Sequence, residues 1–120
     1  MSLATTSDAS FRADVLDSTL PVLVEFTASW CPPCHMIAPV LAQIAADEAD
    51  RLRVRAIDVD ANPATTLAYQ VMAMPTLALF VGGEVVARMV GARPRTAILR
   101  ELEPHLTARA GGLGRMGSGR

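Results

Sequence analysis

The residues with the clearest chemistry are two cysteines separated by two prolines. Trp30-Cys31-Pro32-Pro33-Cys34 holds both cysteines of the 120-residue chain, between the apolar run Val22 to Phe26 and a long helical pattern. Thiol–disulfide exchange needs a thiolate that attacks and a second thiol that releases the product. A helix N-terminus favours a thiolate through unpaired N–H groups and partial positive charge. We therefore predict Cys31 at the start of a helix, with Cys34 one turn further in on the same face.

Three other interpretations of this pair involve no redox chemistry. A zinc site normally has four ligands, and beyond the cysteines the sequence offers only His35, His105 and carboxylates. A purely structural disulfide that closes so short a loop would constrain the unfolded chain little. Two inert core cysteines remain open as an interpretation, although prolines at both middle positions argue against an ordinary helix interior. We favour the redox pair and expect no bound metal.

A carboxylate inside an apolar run is the second feature with chemical potential. Glu25 lies within Val-Leu-Val-Glu-Phe, a pattern that predicts a buried strand. Burying an unpaired carboxylate costs free energy and raises its pKa, and such costly groups cluster at functional sites. The alternative is a surface glutamate on an edge strand. We favour the functional interpretation.

Composition excludes several classes of function. The net charge is −1, every basic residue is Arg, and the charges are scattered, so we expect no nucleic-acid partner. No apolar stretch reaches the ~18 residues that span a bilayer, and the first twenty residues lack the basic start and apolar run of a secretory signal. We expect a cytoplasmic protein without membrane association. Two cysteines are too few for a disulfide-stapled scaffold.

The spacing of apolar residues predicts the elements that position these side chains. A length of 120 residues and 51% hydrophobic content suit a single domain with a real core. The predicted order is helix, strand, helix, strand, helix, strand, strand, helix, which implies an α/β fold with a mixed sheet of four to five strands covered by helices on both faces. We expect a frayed N-terminus over 1–7, a folded domain over 8–107 and a flexible Gly/Arg-rich tail over 108–120.

Two helix starts show capping signals. Ser7 or Asp8 is placed to cap the first helix, predicted over 8–18. Asn62 followed by Pro63 is typical of a cap and first helical turn, and predicts a short helix that runs to Tyr69.

From about Phe11 to Leu106 the chain resembles the bacterial thioredoxins. One Cys-X-X-Cys alone would be weak evidence, but here it follows a strand, and a Pro-Thr pair and a Gly-Gly hairpin come later at matching distances. The matching segments are Val22 to Phe26, Trp30 to Pro39, Asp58 to Pro63, Met74 to Thr76, Phe80 to Val85 and Val90 to Ala92.

The resemblance implies a fold and a reaction cycle. The fold is a central sheet flanked by helices. In the cycle, Cys31 attacks a client disulfide to form a mixed disulfide, and Cys34 then displaces the reduced client. A thioredoxin reductase that uses NADPH restores the dithiol, so this chain binds no cofactor itself. The buried acid, here Glu25 where the family usually has aspartate, assists proton transfer to and from Cys34.

The resemblance also implies a client-binding rim. Pro75 matches a cis proline that would place the backbone of Met74 beside Cys31, where an extended client segment can pair with it. Without the resemblance, a trans proline at the start of a strand is the better interpretation. Trp30, Gly91 and Ala92 match the rest of the rim, although Trp30 and Met74 could equally belong to the core.

Several positions depart from the family pattern. Pro32 stands where the commonest bacterial members have glycine; together with Pro33 it tunes the redox site, so we expect a shifted potential of unspecified sign. His35 and Ala56 stand where lysines are frequent. His35 could tune the site near neutral pH, but we favour solvated surface.

The sequence thus predicts a broad-specificity protein disulfide reductase that acts as a monomer on disulfide-bearing clients. A specialised reductase or isomerase with one partner is the alternative within the same chemistry. A redox-silent binding module that keeps the fold is the alternative outside it.

Overall fold

A computed structural model describes residues 3–107 of the chain, as one five-stranded sheet with helices on both faces. The predicted α/β class and order of elements are confirmed, with one added strand at the N-terminus. The elements are β1 (Ala4–Thr5), β2 (Val22–Thr27), α1 (Pro32–Asp47), β3 (Arg53–Asp58), α2 (Pro63–Ala68), β4 (Thr76–Val81), β5 (Glu84–Val90) and α3 (Arg95–Leu102). Two shorter pieces are a π-helical segment, Arg12–Leu16, and a 3₁₀ turn, Glu103–His105.

Strand β2 occupies the centre of the sheet. The strand order is β1-β3-β2-β4-β5; β3 runs parallel to both β1 and β2, whereas β4 is antiparallel to β2 and to β5. Neighbouring strands therefore cover both edges of β2, and residues 22–26 are all buried. The pairing register sets Glu25 between Ala56 of β3 and Leu77 of β4.

Side chains along β2 point alternately to the two faces of the sheet and contribute to a separate core on each face. Val24 and Phe26 join the core that also holds Cys31 and Cys34. Leu23 joins the second core, with residues of α1 and α3. Glu25 follows Leu23 by two residues, so it shares the second face.

The expectation of a frayed segment over 1–7 differs from the structure in its described part. Ala4–Thr5 forms β1, pairing with Arg55 and Ala56, and the Thr6 N–H donates to the Ala56 carbonyl at 2.9 Å. Leu3 packs on the second core. The physical reason is the open edge of β3, whose unpaired backbone groups accept an added strand. The tail predicted over 108–120 lies outside the described residues.

The capping predictions are confirmed in position but not for every side chain. Ser7 Oγ accepts the N–H of Ser10 at 3.2 Å in the turn before the first helix, and Asn62 precedes α2 with Pro63 as its first residue. Asp8 and the Asn62 side chain instead bond to partners distant in sequence. Asp8 accepts from the backbone N–H groups of Ala64 and Thr65 at 3.1 and 2.9 Å and so caps α2. The Asn62 side chain makes no cap bond; it accepts from the Asp8 N–H at 2.8 Å and donates to the Asp58 carbonyl at 3.0 Å. The first helix is the π-helical segment Arg12–Leu16, which is shorter than the predicted range 8–18.

A buried arginine links the end of α1 to the 3₁₀ turn that follows α3. Arg51 is 6% exposed, and its Nε donates to Glu48 Oε1 at 2.7 Å. The other two guanidinium nitrogens reach both oxygens of Glu103 at 2.8 and 2.9 Å. This paired fork stabilises the packing of the 3₁₀ turn against α1.

Candidate active site

The dithiol lies where the sequence predicts it, at the N-terminus of α1. Cys31 is the extended residue before the helix, and its Sγ accepts the N–H of Cys34 at 3.3 Å. Pro32 and Pro33 form the first turn, where a missing N–H costs nothing. Cys31 and Cys34 are joined as a disulfide, so the chain is in its oxidised form. The N–H that now meets Cys31 Sγ is a donor that would stabilise a thiolate there after reduction.

Both cysteines are nearly buried in the oxidised form. Cys31 is 4% exposed and Cys34 is 1% exposed, and both belong to the core that contains Phe26 and Val59. The two prolines between them are exposed. Cys31 thus keeps slightly more exposed surface than Cys34.

Glu25 lies in the interior beneath the same end of α1. It is 2% exposed, and within the described residues its Oε2 has no hydrogen-bond partner. Burial raises the pKa of Glu25 to about 7, and the charge of His35 opposes part of that rise. Because β2 is central, the alternative of a surface glutamate on an edge strand is wrong. An acid with this pKa can hold or release a proton at neutral pH.

A cleft brings Glu25 and Cys34 together. It has a volume of about 340 Å³ and lies between the start of α1 and strands β2 and β3. The small side chain of Ala56, the register partner of Glu25, leaves this space open beside the carboxyl group. We call it the Glu25 cleft; its lining residues are Leu3, Glu25, Thr27, Cys34, His35, Ala38, Pro39 and Ala56.

The rim around the dithiol is built from the loop before β4 and the end of β5. The Met74–Pro75 peptide bond is cis, as the resemblance implies. The Pro75 carbonyl accepts the N–H of Gly91 at 2.8 Å, and Gly91 has φ +97°, which favours glycine. Met74 packs against the core that holds both cysteines. Ala92 follows as an exposed residue.

Trp30 is on the surface rather than in the core. Its side chain is exposed (62%), and its indole N–H donates to Asp60 Oδ2 at 2.7 Å. The hydrogen bond fixes a large exposed ring on the residue that precedes Cys31.

Comparisons with known proteins decide the family. The Thioredoxin family model matches residues 2–104. A thioredoxin of Mycobacterium tuberculosis (strain CDC 1551 / Oshkosh) is 54% identical over 96 residues, which cover 80% of this chain and 83% of that protein. The chain belongs to the thioredoxin family. A Mycolicibacterium smegmatis thioredoxin is likewise 54% identical, over 102 residues, 83% of this chain and 91% of that protein.

A further similar protein carries thioredoxin as one part of a longer chain. The bifunctional thioredoxin reductase/thioredoxin of Mycobacterium leprae is 52% identical over 96 residues, which cover 80% of this chain but only 21% of that protein. This thioredoxin-family chain thus spans about a fifth of that relative. The family, the fold and the Cys31–Cys34 disulfide together make the chain a protein disulfide oxidoreductase of the protein-disulfide-reductase type.

Two contacts in this thioredoxin site were missed from sequence. The first is the hydrogen bond from the Trp30 indole to Asp60, in the exposed turn after β3. Asp58 Oδ1 accepts the N–H groups of Asp60 and Ala61 at 2.8 and 3.1 Å and shapes that turn. An aspartate whose side chain accepts the N–H of the residue two positions later is a known turn signal, so the Asp58 contact could have been predicted. Nothing in the local sequence indicates that Asp60 would bind the indole of Trp30, 30 residues away.

His35 is also more than solvated surface. Its ring is exposed, as expected, and Nε2 lies 2.7 Å from the Ser29 carbonyl oxygen. The same side chain lines the Glu25 cleft.

Residues 3–107 contain neither a metal-binding cluster nor a membrane-spanning helix. That part of the chain has no group of three or more His, Cys, Asp or Glu side chains placed to hold a metal ion. Nor does it have a helix with the length and apolar character needed to cross a membrane.

Proposed function

We propose that this chain is a cytoplasmic thioredoxin with a Cys-Pro-Pro-Cys centre that reduces client disulfides and is itself reduced by an NADPH-dependent thioredoxin reductase. The observation that carries the proposal is the Cys31–Cys34 disulfide at the N-terminus of α1, beside a buried carboxyl group with an unpartnered oxygen.

The first step uses Cys31. Its thiolate attacks one sulfur of a client disulfide, the client S–S bond breaks, and the second client sulfur leaves as a thiolate that takes a proton from water. The N–H of Cys34, which points at Cys31 Sγ in the structure, and the positive end of α1 lower the free energy of the attacking thiolate. The product is a mixed disulfide between Cys31 and the client.

The second step uses Cys34 and Glu25. The Cys34 thiol gives its proton to the Glu25 carboxylate across the Glu25 cleft, and the resulting thiolate attacks the sulfur of Cys31. The Cys31–client bond breaks, the client leaves as a thiolate, and the Cys31–Cys34 disulfide forms. That product is the state seen in the structure. Two electrons have passed from the dithiol to the client disulfide.

Client binding is assigned to the rim formed by Trp30, Met74, Pro75, Gly91 and Ala92. An exposed tryptophan next to Cys31 in sequence and a methionine packed on the core that holds the dithiol suit a surface that accepts many sequences. Extended client backbone would pair with Met74. Pro32 and Pro33 are assigned the tuning of the redox potential, since they define the start of α1.

The partners follow from the same chemistry. A relative whose printed name joins thioredoxin reductase and thioredoxin in one chain supports a reductase of that kind as the electron donor here. A cytoplasmic location suits a dithiol that must stay reduced. We propose a monomer whose folded domain includes residues 8–107, with β1 added at its edge.

Insulin reduction tests the proposal. With NADPH and a thioredoxin reductase, the wild-type chain should precipitate insulin and consume NADPH. Cys31→Ser and Cys34→Ser should both lose turnover, and Cys34→Ser alone should accumulate a mixed disulfide. A reductase or isomerase specialised for one partner would leave insulin intact, and a redox-silent module would keep its cellular phenotype when both cysteines are replaced. Either result would contradict the proposal.

A further inference from the structure

Among the residues that line the Glu25 cleft, Glu25 and His35 carry ionisable groups, and Cys34 joins them once the disulfide is reduced. The strand beside Glu25 places the uncharged Ala56 against it, and the other neighbouring strand places Leu77 there. The remaining lining side chains carry no charge. A buried carboxyl group with an unpartnered oxygen therefore shares its cleft with one side chain that can become a cation.

The other charged groups nearby are directed elsewhere. Asp58 of β3 accepts two backbone N–H groups of its own turn. Arg55 of β3 precedes Ala56 by one residue, which directs its side chain to the opposite face of the sheet. There it donates to the Thr5 carbonyl at 3.1 Å and lies 3.9 Å from Asp14.

The position of His35 is defined by its backbone and its ring. It follows Cys34 directly in the first turn of α1, and its N–H donates to the Cys31 carbonyl at 3.3 Å. The 2.7 Å contact between Nε2 and the Ser29 carbonyl oxygen holds the ring at the mouth of the cleft. A protonated ring would donate to that carbonyl, so the contact is compatible with the cationic form.

We propose that His35 is the electrostatic partner of Glu25: its ring, held in the same cleft, favours the carboxylate form of Glu25 that accepts the proton of Cys34. His35 acts through Glu25 and is a positioning residue rather than a catalytic one. The proposal rests on the proposed function, because it concerns the proton transfer of the resolving step.

The expected size of the effect follows from the titration of Glu25. With a pKa of about 7, about half of the Glu25 side chains are ionised at pH 7. Loss of the His35 charge should raise this pKa by about half a unit, the scale for a solvent-exposed cation that makes no direct contact. The ionised fraction at pH 7 then falls about twofold. At pH 9 Glu25 is ionised with or without the cation, and the difference vanishes.

The experiment compares His35→Gln, which is neutral, with His35→Lys, which restores a cation. His105→Gln is the matched control, because it changes the chain's other histidine at the far end of the fold. The pKa of Glu25 is read from ¹³C carboxyl NMR of the oxidised protein, with Glu25→Gln identifying the signal. Insulin reduction is then measured from pH 6 to pH 9, and the melting temperature shows that each variant is folded.

His35→Gln should raise the Glu25 pKa and lower the insulin rate about twofold at pH 7 with no loss at pH 9. His105→Gln should match wild type in both, and His35→Lys, a cation throughout this pH range, should hold the Glu25 pKa at or below the wild-type value. An unchanged Glu25 titration in His35→Gln, or a His35→Lys titration that follows His35→Gln, would overturn the proposal. If wild type fails to reduce insulin, the proposed function falls, whereas the NMR titration still decides the pairing of His35 with Glu25.

Discussion

Replacement of Glu25 by glutamine should make the stability of the protein less dependent on pH. In the unfolded chain a glutamate titrates at its ordinary value of 4.5, whereas burial raises the pKa of folded Glu25 to about 7. Between these values the folded state holds a proton that the unfolded state has released, so the free energy of unfolding falls as the pH rises. Above the folded pKa the loss is complete. Below 4.5 it is absent.

The size of this effect follows from the shift. One pKa unit corresponds to about 1.4 kcal/mol, so a rise from 4.5 to about 7 corresponds to a loss of about 3 kcal/mol between pH 4 and pH 8.5. Glutamine carries no charge and escapes this loss. Its buried amide adds a cost of about 1–3 kcal/mol for unmade hydrogen bonds, but that cost is the same at each pH. The difference between the two proteins should therefore change by about 3 kcal/mol across the range.

Urea unfolding of the oxidised proteins at pH 4, 5.5, 7 and 8.5 measures this difference. Glu84→Gln, at an exposed position of β5, is the matched control and should follow wild type within about 0.5 kcal/mol. Parallel stability curves for wild type and Glu25→Gln would refute the reasoning, since they would show that the buried carboxyl group titrates alike in the folded and unfolded chains.

Three further predictions concern the redox site and the two long-range anchors. Pro32→Gly should change the equilibrium constant with glutathione about two- to fivefold, since fixing one backbone angle is worth about 0.4–1 kcal/mol; equal constants would end the idea. Asp8→Ala should lower the free energy of urea unfolding by about 1–2 kcal/mol, because two N–H groups of α2 lose their acceptor, while the exposed Asp17→Ala should change it little. Arg51→Met should cost about 3 kcal/mol in the same assay by removing the cation beside the buried Glu48; a variant as stable as wild type would show that the pair contributes nothing net.

Structural features that depend on residues adjacent in sequence were predictable from the sequence. The alternation and helical spacing of apolar residues predicted the order of the elements, because burial on one face repeats at the period of the backbone. The placement of Cys31 before α1 followed in the same way, since the strand, the two prolines and the helical pattern adjoin it. The roles of Met74 and Pro75 came from the family resemblance, because local preferences favour a trans proline.

Features that depend on distant partners were not predictable. Asp8 carries a good local capping signal, but its acceptor oxygens meet N–H groups 56 and 57 residues away. The strand Ala4–Thr5 contains two small residues, and it exists because the edge of β3 is open. Arg51 has no apolar pattern around it that marks a buried cation, and its partner Glu103 is 52 residues away.

The environment of Glu25 depends on both the sequence pattern and the order of strands in the sheet. The sequence places a carboxylate in an apolar strand. Only the order of strands in the sheet shows whether that strand is a solvent-exposed edge or the buried centre. The pairing register of β2 and β3 then places Glu25 opposite Ala56. The small side chain of Ala56 leaves a cleft between Glu25 and Cys34 and supplies no positive charge to the carboxyl group. A carboxyl group in that position keeps its proton to about neutral pH, which is the range in which a cysteine thiol must give one up. The proposed resolving step thus depends on one buried acid, one small neighbour and one turn of helix.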